Sequence, residues 1–436
     1  MSRVFPNALA EVSWLRDAKP LVDQLDLLHR SLRSGAGRGT FELYRRAALS
    51  LRVGVHGAEK TPAARVGVDE GLALRSLSDD GGLICFAASS GSGKQSMQWA
   101  LEQSRVARGR AAEENPWDRS GTGPKSDPES ELRLPTPDDL SNWLAQATAE
   151  LARTAERRDA PLEPLEAWIE VTATAEAWVA DGDLRALRTR TRGWSVLRTR
   201  DPWGVGGVPR PVIVAHRRWQ ELPTNAWSEV LEDRWVSDRI AAPAPTRPTP
   251  VLFSPECAAI LVLALVKALH TYGPDPGFSV GPAWRVVDDP GHSGALFGGS
   301  FDDAGFPTRR TVLAENRRAV GRIGGEGHYC RPSFRDRPVP MASHLTVLTD
   351  GEGAAPARGV LVTALTLHPL QPDHWMLEID GAHLEGGRPG PALRSAVVSV
   401  SPGELARRCV AAVGPARPSH LGVETPALVF DNLMLR

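Results

Sequence analysis

Two acidic runs and a pair of arginines carry the densest set of chemically capable side chains in the sequence. They are Asp288, Asp289, Asp302, Asp303, Arg309 and Arg310. Paired carboxylates can bind a divalent cation or transfer a proton, but these runs lack the ligand spacing of a calcium loop. Aspartate also caps backbone N–H groups in turns, so a purely structural role is open as well.

A second candidate is a phosphate-binding loop at residues 89–96. Gly93 and Lys94 match the Walker pattern. Ala88 stands where that pattern requires its first glycine, and Gln95 stands where a hydroxyl would bind magnesium. The segment is therefore interpreted as a turn of small residues between a strand and a helix.

Histidine and cysteine form no recognisable metal signature in this sequence. His328 and Cys330 could contact one ion, but no third ligand occurs at a typical spacing. His368 and His374 are separated by prolines and cannot share a regular helix face. The four cysteines lie far apart, which indicates reduced thiols. Residue types alone therefore specify no reaction.

Composition places the chain among ordinary globular proteins. It has 436 residues, of which 42% are hydrophobic and 24% are charged, and its formal net charge is −1. A charge near zero argues against binding to nucleic acid. No apolar run reaches the roughly 18 residues that span a bilayer, and the first residues lack the apolar core of a signal peptide. We expect a cytoplasmic protein without a membrane partner.

Hydrophobic periodicity predicts an N-terminal mixed α/β domain over residues 1–240. Helical spacing occurs from Leu9 to Leu28, about 97–107 and from Leu140 onward. Alternation or short apolar runs predict strands at 41–46, 49–55, 71–77, 82–88, 167–179 and 194–200. Residues 112–139 are rich in Pro, Gly, Ser and charge, which predicts a flexible loop.

A proline-rich linker at 241–250 is predicted to precede a C-terminal domain over 251–436. Ser254, Pro255 and Glu256 form a clear helix start, because serine caps, proline fits the first helical position and glutamate suits the positive end. Residues 257–266 of the predicted helix 255–269 are apolar on all sides, so the helix should be fully buried. Short strands and turns follow it, so the predicted fold class is α+β, with a β-rich C-terminal domain around one buried helix.

The run from Asp288 to Glu315 resembles the C-terminal domain of the TldD/PmbA (TldE) family, cytosolic metallopeptidases once called modulators of DNA gyrase. The likeness is strong over 250–436 and loose over 1–240. The residues that match the family's acidic segment are Asp288, Asp289, Pro290, Phe301, Asp302, Asp303, Gly305, Pro307, Thr308, Arg310, Thr311, Leu313 and Glu315.

The departures from this family concern its catalytic zinc site. The catalytic branch carries H-E-x-x-x-H on the helix that starts at the position of Pro255, and here Leu263, Ala264 and Ala268 take those places. None of the three can bind zinc or move a proton. The late cysteine ligand of that branch is also missing from the segment around His420. The resemblance is therefore to the metal-free TldE/PmbA branch.

This resemblance implies a non-catalytic subunit of a heterodimeric metallopeptidase. No metal or cofactor is expected in this chain, and zinc is expected in a TldD-like partner that cleaves peptide or peptide-like amide bonds. The chain would shape the substrate channel of that partner. We expect the two acidic runs and Arg309 and Arg310 to face the substrate or the partner.

Two alternatives stay open. The first is an independently active hydrolase with a relocated metal or nucleophile site, for which His328, Cys330 and His344 are candidates. The second is a regulator of gyrase or DNA. The near-neutral charge and the lack of a basic stripe argue against direct contact with DNA.

Overall fold

In the computed structural model, most of the described residues form two large β-sheets with helices packed on them. It describes residues 18–35, 40–56, 62–77, 83–90, 127–128, 134–159, 163–180, 184–200, 211–234, 238–272, 284–303, 306–315, 318–321, 323, 327–331, 335, 339–349 and 353–436.

The first sheet is built from the N-terminal half of the chain and is mostly antiparallel. Its order is β3-β2-β1-β5-β6-β4, with β7 also paired to β6. Its strands are β1 (Thr40–His56), β2 (Ala63–Leu77), β3 (Leu83–Ser90), β4 (Asp127–Pro128), β5 (Glu163–Ala180), β6 (Leu184–Arg200) and β7 (Val212–His216).

Side chains alternate between the two faces of this sheet along its long strands. One face packs against the helices α1 (Lys19–Gly35), α2 (Pro137–Arg157) and α3 (Ala226–Asp233). Ala173, Ala175 and Ala177 of β5 are fully buried, and the latter two lie in the core under α1. Because successive side chains of a strand point to opposite faces, Glu176 and Trp178 point away from that core. That second face contacts the C-terminal half of the chain.

Several boundaries differ from the sequence predictions; the strand expected at 194–200, for example, begins at Leu184. Residues 41–46 and 49–55 were expected as two strands but form the single strand β1, which pairs along its length with β2 and β5. Helix α2 begins at Pro137, not at Leu140, because Thr136 accepts the N–H of Asp139 at 3.1 Å and Asp139 accepts the N–H of Thr136 at 2.8 Å. Residues 137–139 of the predicted loop 112–139 thus belong to this helix and residues 127–128 form β4, whereas 112–126 and 129–133 lie outside the described residues.

The second sheet contains eleven strands, and three of its pairings are parallel. Its order is β12-β11-β10-β15-β20-β9-β16-β17-β18-β8, with β19 paired to β20. The strands are β8 (Asp238–Ala242), β9 (Thr249–Phe253), β10 (Trp284–Asp288), β11 (Thr311–Glu315), β12 (Arg318–Ala319), β15 (Leu345–Thr349), β16 (Arg358–Gln371), β17 (His374–Glu385), β18 (Arg388–Val400), β19 (Cys409–Pro418) and β20 (Val423–Leu433). A separate two-stranded ribbon joins β13 (Tyr329–Cys330) and β14 (Val339–Pro340).

Helix α4 (Pro255–Tyr272) is the central helix of the C-terminal core. It packs on β20, β16 and β9 and touches the short helix α5 (Pro402–Arg408). Cys257, Ala258 and Leu261 are almost fully buried, as the all-apolar sequence predicts. The α+β fold class and the β-rich C-terminal part with its buried helix are confirmed.

The proline-rich segment connects two strands of this same sheet. β8 ends at Ala242 and β9 begins at Thr249, and residues 243–248 between them have no regular structure. The change from the first sheet to the second falls between β7 and β8.

None of the helices in the described ranges combines the length and the apolar character that crossing a membrane requires.

Candidate functional site

The positions of α4 that the sequence resemblance aligns with zinc ligands lie in or against the hydrophobic core. Leu263 and Ala264 are half-buried and pack against the core cluster, and Ala268 is 7% exposed within it. None of these side chains has a lone pair for a metal or a proton to transfer. The residues at this site therefore do not fit zinc.

The start of α4 is held by polar contacts with neighbouring elements. The N–H of Ser254 donates to the carbonyl of Val362 at 2.9 Å, and the N–H of Ala258 donates to the carbonyl of Ser254 at 2.8 Å. Glu256 pairs with Arg234, just beyond α3, at 2.8 Å. These contacts fix the helix between the two halves of the chain.

A cavity of about 230 Å³ lies beside this helix start. It is lined by residues of β7, α3, the start of α4, and the end of β19 with the two residues that follow it. His420 occupies the segment where the catalytic branch has its third ligand. Burial lowers the pKa of His420, which Glu256 nearby partly offsets, so this imidazole is mainly neutral at pH 7.

The first acidic run forms a turn in which one carboxylate is buried and one is exposed enough to contact solvent. Asp288 has no exposed surface, and its Oδ1 accepts the N–H groups of Ser343 at 3.0 Å and His344 at 2.8 Å. Burial raises the pKa of Asp288 to about 6. Asp289 accepts the N–H of Gly291 at 3.1 Å and lies 3.6 Å from the guanidinium of Arg310.

The second acidic run is buried throughout and organises backbone. Asp302 accepts three N–H groups, from Phe306 at 2.9 Å, Gly327 at 2.9 Å and Tyr329 at 3.1 Å. Asp303 accepts the N–H of Arg331 at 2.6 Å. The two side chains therefore bind this chain's own backbone, which is the capping role that aspartate often has in turns.

Asp303 also belongs to a buried ionic cluster on the inner face of the first sheet. Arg188 of β6 pairs with both Asp303 and Glu176 of β5, and donates to the carbonyl of Phe301 at 3.0 Å. The hydroxyl of Tyr44 donates to Glu176 at 2.9 Å. Burial alone would raise the pKa of Glu176, but the combined charges of Arg188, Arg190 and two further arginines outweigh burial and lower that pKa far below its ordinary range.

Aromatic packing surrounds this cluster. The indole N–H of Trp178 donates to the carbonyl of Asp303 at 3.1 Å, and its ring meets Phe301 edge to face at 5.1 Å. Arg188 lies over the ring of Trp178 at 5.0 Å. The cluster joins the first sheet to the acidic turn of the C-terminal half and excludes water from the junction.

The exposed candidates of the sequence analysis meet at one surface pocket. Asp289, Arg309 and Arg310 line it with Arg217 and Thr308, and the pocket encloses about 490 Å³. Arg310 is about half exposed. Of the six residues expected to face substrate or partner, these three lie at the surface, whereas Asp288, Asp302 and Asp303 are buried.

His328 and Cys330 were candidates for a relocated site, and they are not brought together with a third ligand in the described residues. The Nε2 of His328 lies 3.1 Å from the hydroxyl of Thr311 and 3.8 Å from Asp288 Oδ2. Because both contacts involve the same ring nitrogen, they do not form a proton relay from hydroxyl through imidazole to carboxylate. Burial raises the pKa of Cys330 well above its ordinary value, so this thiol is a poor nucleophile.

His344 instead lies beside His292 and Glu424. The three side chains are the only group of His, Cys, Asp or Glu in the described part of the chain whose potential ligand atoms come together closely enough for one metal ion. His292 and Glu424 were missed in the sequence, because the three residues lie on distant segments without any motif spacing. The nearness of His292 to the acidic run was the one available signal.

The phosphate-loop candidate can be placed only in part. Ser89 and Ser90 end β3, and residues 91–96 lie outside the described residues, as does the helix expected at 97–107.

Comparison with known proteins gives a match through structure. Neither family models nor curated proteins match the sequence. TldE from Thermococcus kodakarensis is similar in structure, with a TM-score of 0.73 and 16% identity, over 94% of this chain and 99% of that one.

Two further solved structures have the same fold, and both proteins are described as candidate modulators of DNA gyrase. The one from Thermotoga maritima has a TM-score of 0.67 and 14% identity, over 95% of this chain and 99% of that chain. The one from Bacteroides thetaiotaomicron has a TM-score of 0.68 and 14% identity, over 96% and 99%. The resemblance found in the sequence is thus confirmed at the level of the fold, and the chain has the fold of TldE and of these two proteins along nearly its whole length.

Proposed function

We propose that this chain is a non-catalytic, TldE-like subunit of a heterodimeric metallopeptidase. The observation that supports this most directly is the side-chain set of α4. Leu263, Ala264 and Ala268 offer no ligand and no general base, and they pack in the core of the C-terminal half. A helix without ligands can still be kept as a scaffold for an interface.

The proposed partner is a TldD-like protein that holds zinc and hydrolyses peptide or peptide-like amide bonds. In such a pair, a zinc-bound water would be the nucleophile in the partner's site. The role of the present chain is to complete the wall of the substrate channel, where it positions the peptide and excludes bulk water. We place this complex in the cytoplasm and assign it no nucleic-acid or membrane partner.

The surface proposed to face the channel or the partner is the pocket at Asp289, Arg309 and Arg310. Its guanidinium groups suit carboxylates, either on a peptide substrate or on the partner's surface. Open, charged surface of this kind is more accessible to another molecule than the buried carboxylates of the two acidic turns.

The test is co-expression with a TldD-like protein that carries the affinity tag alone. Co-purification at a ratio near one to one, together with peptide hydrolysis that needs both chains, supports the proposal. Failure to co-purify, combined with full activity of the TldD-like protein alone, would show that the assignment is wrong.

A second candidate is an independently active hydrolase with a relocated metal site, and the cluster of His292, His344 and Glu424 is the observation in its favour. It predicts hydrolysis by this chain without any partner, which a chelator abolishes and added zinc restores. The first candidate predicts no such activity.

A further inference from the structure

We propose that His292, His344 and Glu424 form a binding site for one divalent metal ion of the zinc class, at a place distinct from α4. The potential ligand atoms of the three residues all lie within 4.8 Å of one another. Two imidazoles and one carboxylate are a common protein ligand set for zinc, in which a fourth position is left for water. This inference does not rest on the proposed function.

The three ligands come from three segments that the backbone holds together. His344 precedes β15 and Glu424 lies in β20, and these strands pair in parallel, with Leu345 donating its N–H to the carbonyl of Gly422 at 2.9 Å. The N–H of His292 donates to the carbonyl of Asp289 at 3.1 Å. The positions of the three residues are therefore set by main-chain pairing, and not by flexible loops alone.

Asp288 also holds the backbone of His344 in place. Its buried Oδ1 accepts the N–H of His344, and the carbonyl of His344 accepts the N–H of Asp289 at 2.8 Å. The turn at Asp288 and Asp289 is thus hydrogen-bonded to the backbone of His344. Along the chain, the same turn leads directly to His292. These contacts orient the main chain of His344 and so set the position from which its ring extends.

The imidazole of His344 is an independent observation that points to a ligand. Its side chain is 2% exposed, yet neither of its ring nitrogens has a hydrogen-bond partner. Buried polar atoms in folded proteins are almost always hydrogen-bonded, so an unpartnered buried imidazole calls for an explanation. A metal ion at Nε2, on the side of Glu424, supplies a partner for that one of the two nitrogens.

The separations between the ligand atoms are too long for hydrogen bonds and close to those of a metal centre. His344 Nε2 lies 3.6 Å from Glu424 Oε2, and His292 Nε2 lies 4.0 Å from the same oxygen. Ligands at about 2.0–2.1 Å from a tetrahedral zinc ion lie about 3.3 Å apart. Binding therefore requires the side chains to close in slightly.

One ring must also turn when the metal binds. The imidazoles of His292 and His344 are stacked with an interplanar angle of 6° and centroids 4.5 Å apart. A metal lies in the plane of each imidazole that it binds, so two stacked rings cannot both point to it. The ring of His292, which is 40% exposed, is free to turn and to release the contact of its Nδ1 with the N–H of Gly294 at 3.2 Å.

The donor set selects the class of metal. Imidazole suits zinc, cobalt, nickel and iron, whereas magnesium and calcium prefer all-oxygen sites. We therefore expect Zn²⁺ and Co²⁺ to bind at one equivalent, and Mg²⁺ and Ca²⁺ to bind far more weakly.

The experiment uses the full, tag-free chain after removal of metals by a chelator. Co²⁺ titration followed by visible absorption reports four-coordinate or five-coordinate binding, and calorimetry with Zn²⁺ gives stoichiometry and affinity. The expected result is one site per chain. The variants His292→Ala and Glu424→Gln, both at half-buried positions, should each weaken Zn²⁺ binding by on the order of 100-fold or more, because loss of even an outer-shell partner of a metal ligand costs about 10- to 100-fold.

The matched control is His368→Ala. His368 faces Glu378 at 3.5 Å on the exposed surface of β16 and β17, so it reproduces a His–Glu pair without a third ligand. Binding should be unchanged in this variant. His344→Asn is a third test, read only if circular dichroism shows that the variant is folded. Absence of a one-equivalent site in the parent chain, or equal affinity in the parent, His292→Ala and Glu424→Gln, would overturn the proposal.

Discussion

Arg188 of β6 and Asp303 of the second acidic turn form an ion pair in which both side chains are buried, with exposures of 3% and 5%. The pair joins the first sheet to the C-terminal half of the chain. Because both charges have left water, Asp303 depends on Arg188 for compensation, whereas Arg188 is compensated by Asp303 and by Glu176. The integrity of the junction should therefore depend on this contact.

Replacement of Arg188 by Met should destabilise the protein by about 3–5 kcal/mol, because it leaves Glu176 and Asp303 buried without their main counter-charge. The measurement is the midpoint of urea denaturation or of thermal melting. The control is Glu315→Gln, which breaks an ion pair with Arg285 in which both partners are partly exposed, and which should cost at most about 1 kcal/mol. Equal midpoints for the two variants would contradict this account.

Acid should weaken the same junction. The pKa values of Glu176 and Asp303 are lowered in the folded protein, because the surrounding arginines, of which Arg188 contributes most, together with hydrogen bonds outweigh the effect of burial. A lowered carboxyl pKa stabilises the folded state at any pH above its unfolded value of about 4. That stability is lost as the pH falls below about 4 toward the folded pKa.

The check on this pH dependence is a series of melting curves from pH 7 to pH 3 for the parent chain and for Glu176→Gln. The variant should melt lower at pH 7 but lose less stability on acidification, because one of the two linked carboxylates is gone. If the melting temperatures of the two proteins fall equally between pH 7 and pH 3, Glu176 does not contribute to the loss of stability in acid.

Reversal of charge at the surface pocket should reduce function without loss of stability. The double variant Arg309→Glu and Arg310→Glu changes exposed side chains, so its melting temperature should stay close to that of the parent. The kcat/KM of the assembled pair for a peptide should fall about tenfold or more, because repulsion replaces attraction for carboxylates.

The control for that variant is Arg65→Glu, an exposed position on β2 of the first sheet. It should leave kcat/KM unchanged. If the pocket variant has the same kcat/KM as this control, the pocket at Asp289, Arg309 and Arg310 does not face the substrate or the partner.

Helix α4 should tolerate a conservative change at Leu263, which the sequence resemblance aligns with a zinc ligand. In a helix that binds catalytic zinc, a change at this position would abolish hydrolysis. Leu263→Met conserves volume at a half-buried position, so it should cost less than about 1.5 kcal/mol and leave hydrolysis by the pair unchanged. Leu261→Ala, at a fully buried position, should cost about 2–5 kcal/mol. An assembled, folded Leu263→Met pair without activity would indicate a direct role for this helix.

The sequence was sufficient to predict the elements whose signals are local. Helix α4 was predicted from the serine and proline at its start and from its apolar residues, and β5 was predicted from its alternation. These signals involve only residues close in sequence, and both elements formed as expected. The start of α2 was missed because its Thr136–Asp139 capping box lies in a segment dominated by loop-forming residues. The unbroken strand β1 was missed because its continuity depends on pairing with β2 and β5.

The sites that depend on tertiary contacts could not be derived from the sequence. His344 and Glu424 meet only because β15 and β20 pair in parallel, and no spacing in the chain encodes that register. From the sequence, Asp302 and Asp303 could face a substrate or partner, or could cap backbone N–H groups in a buried turn. The packing of Phe301 and Trp178 around the turn shows that the second role applies.

The most direct test of the central claim is a peptide-hydrolysis assay on the purified chain alone and on the chain assembled with a TldD-like protein, each with and without a zinc chelator. We predict no hydrolysis by the chain alone, even when it binds metal, and chelator-sensitive hydrolysis by the assembled pair. Chelator-sensitive hydrolysis by the chain alone, restored by zinc and lost in His292→Ala, would contradict the account.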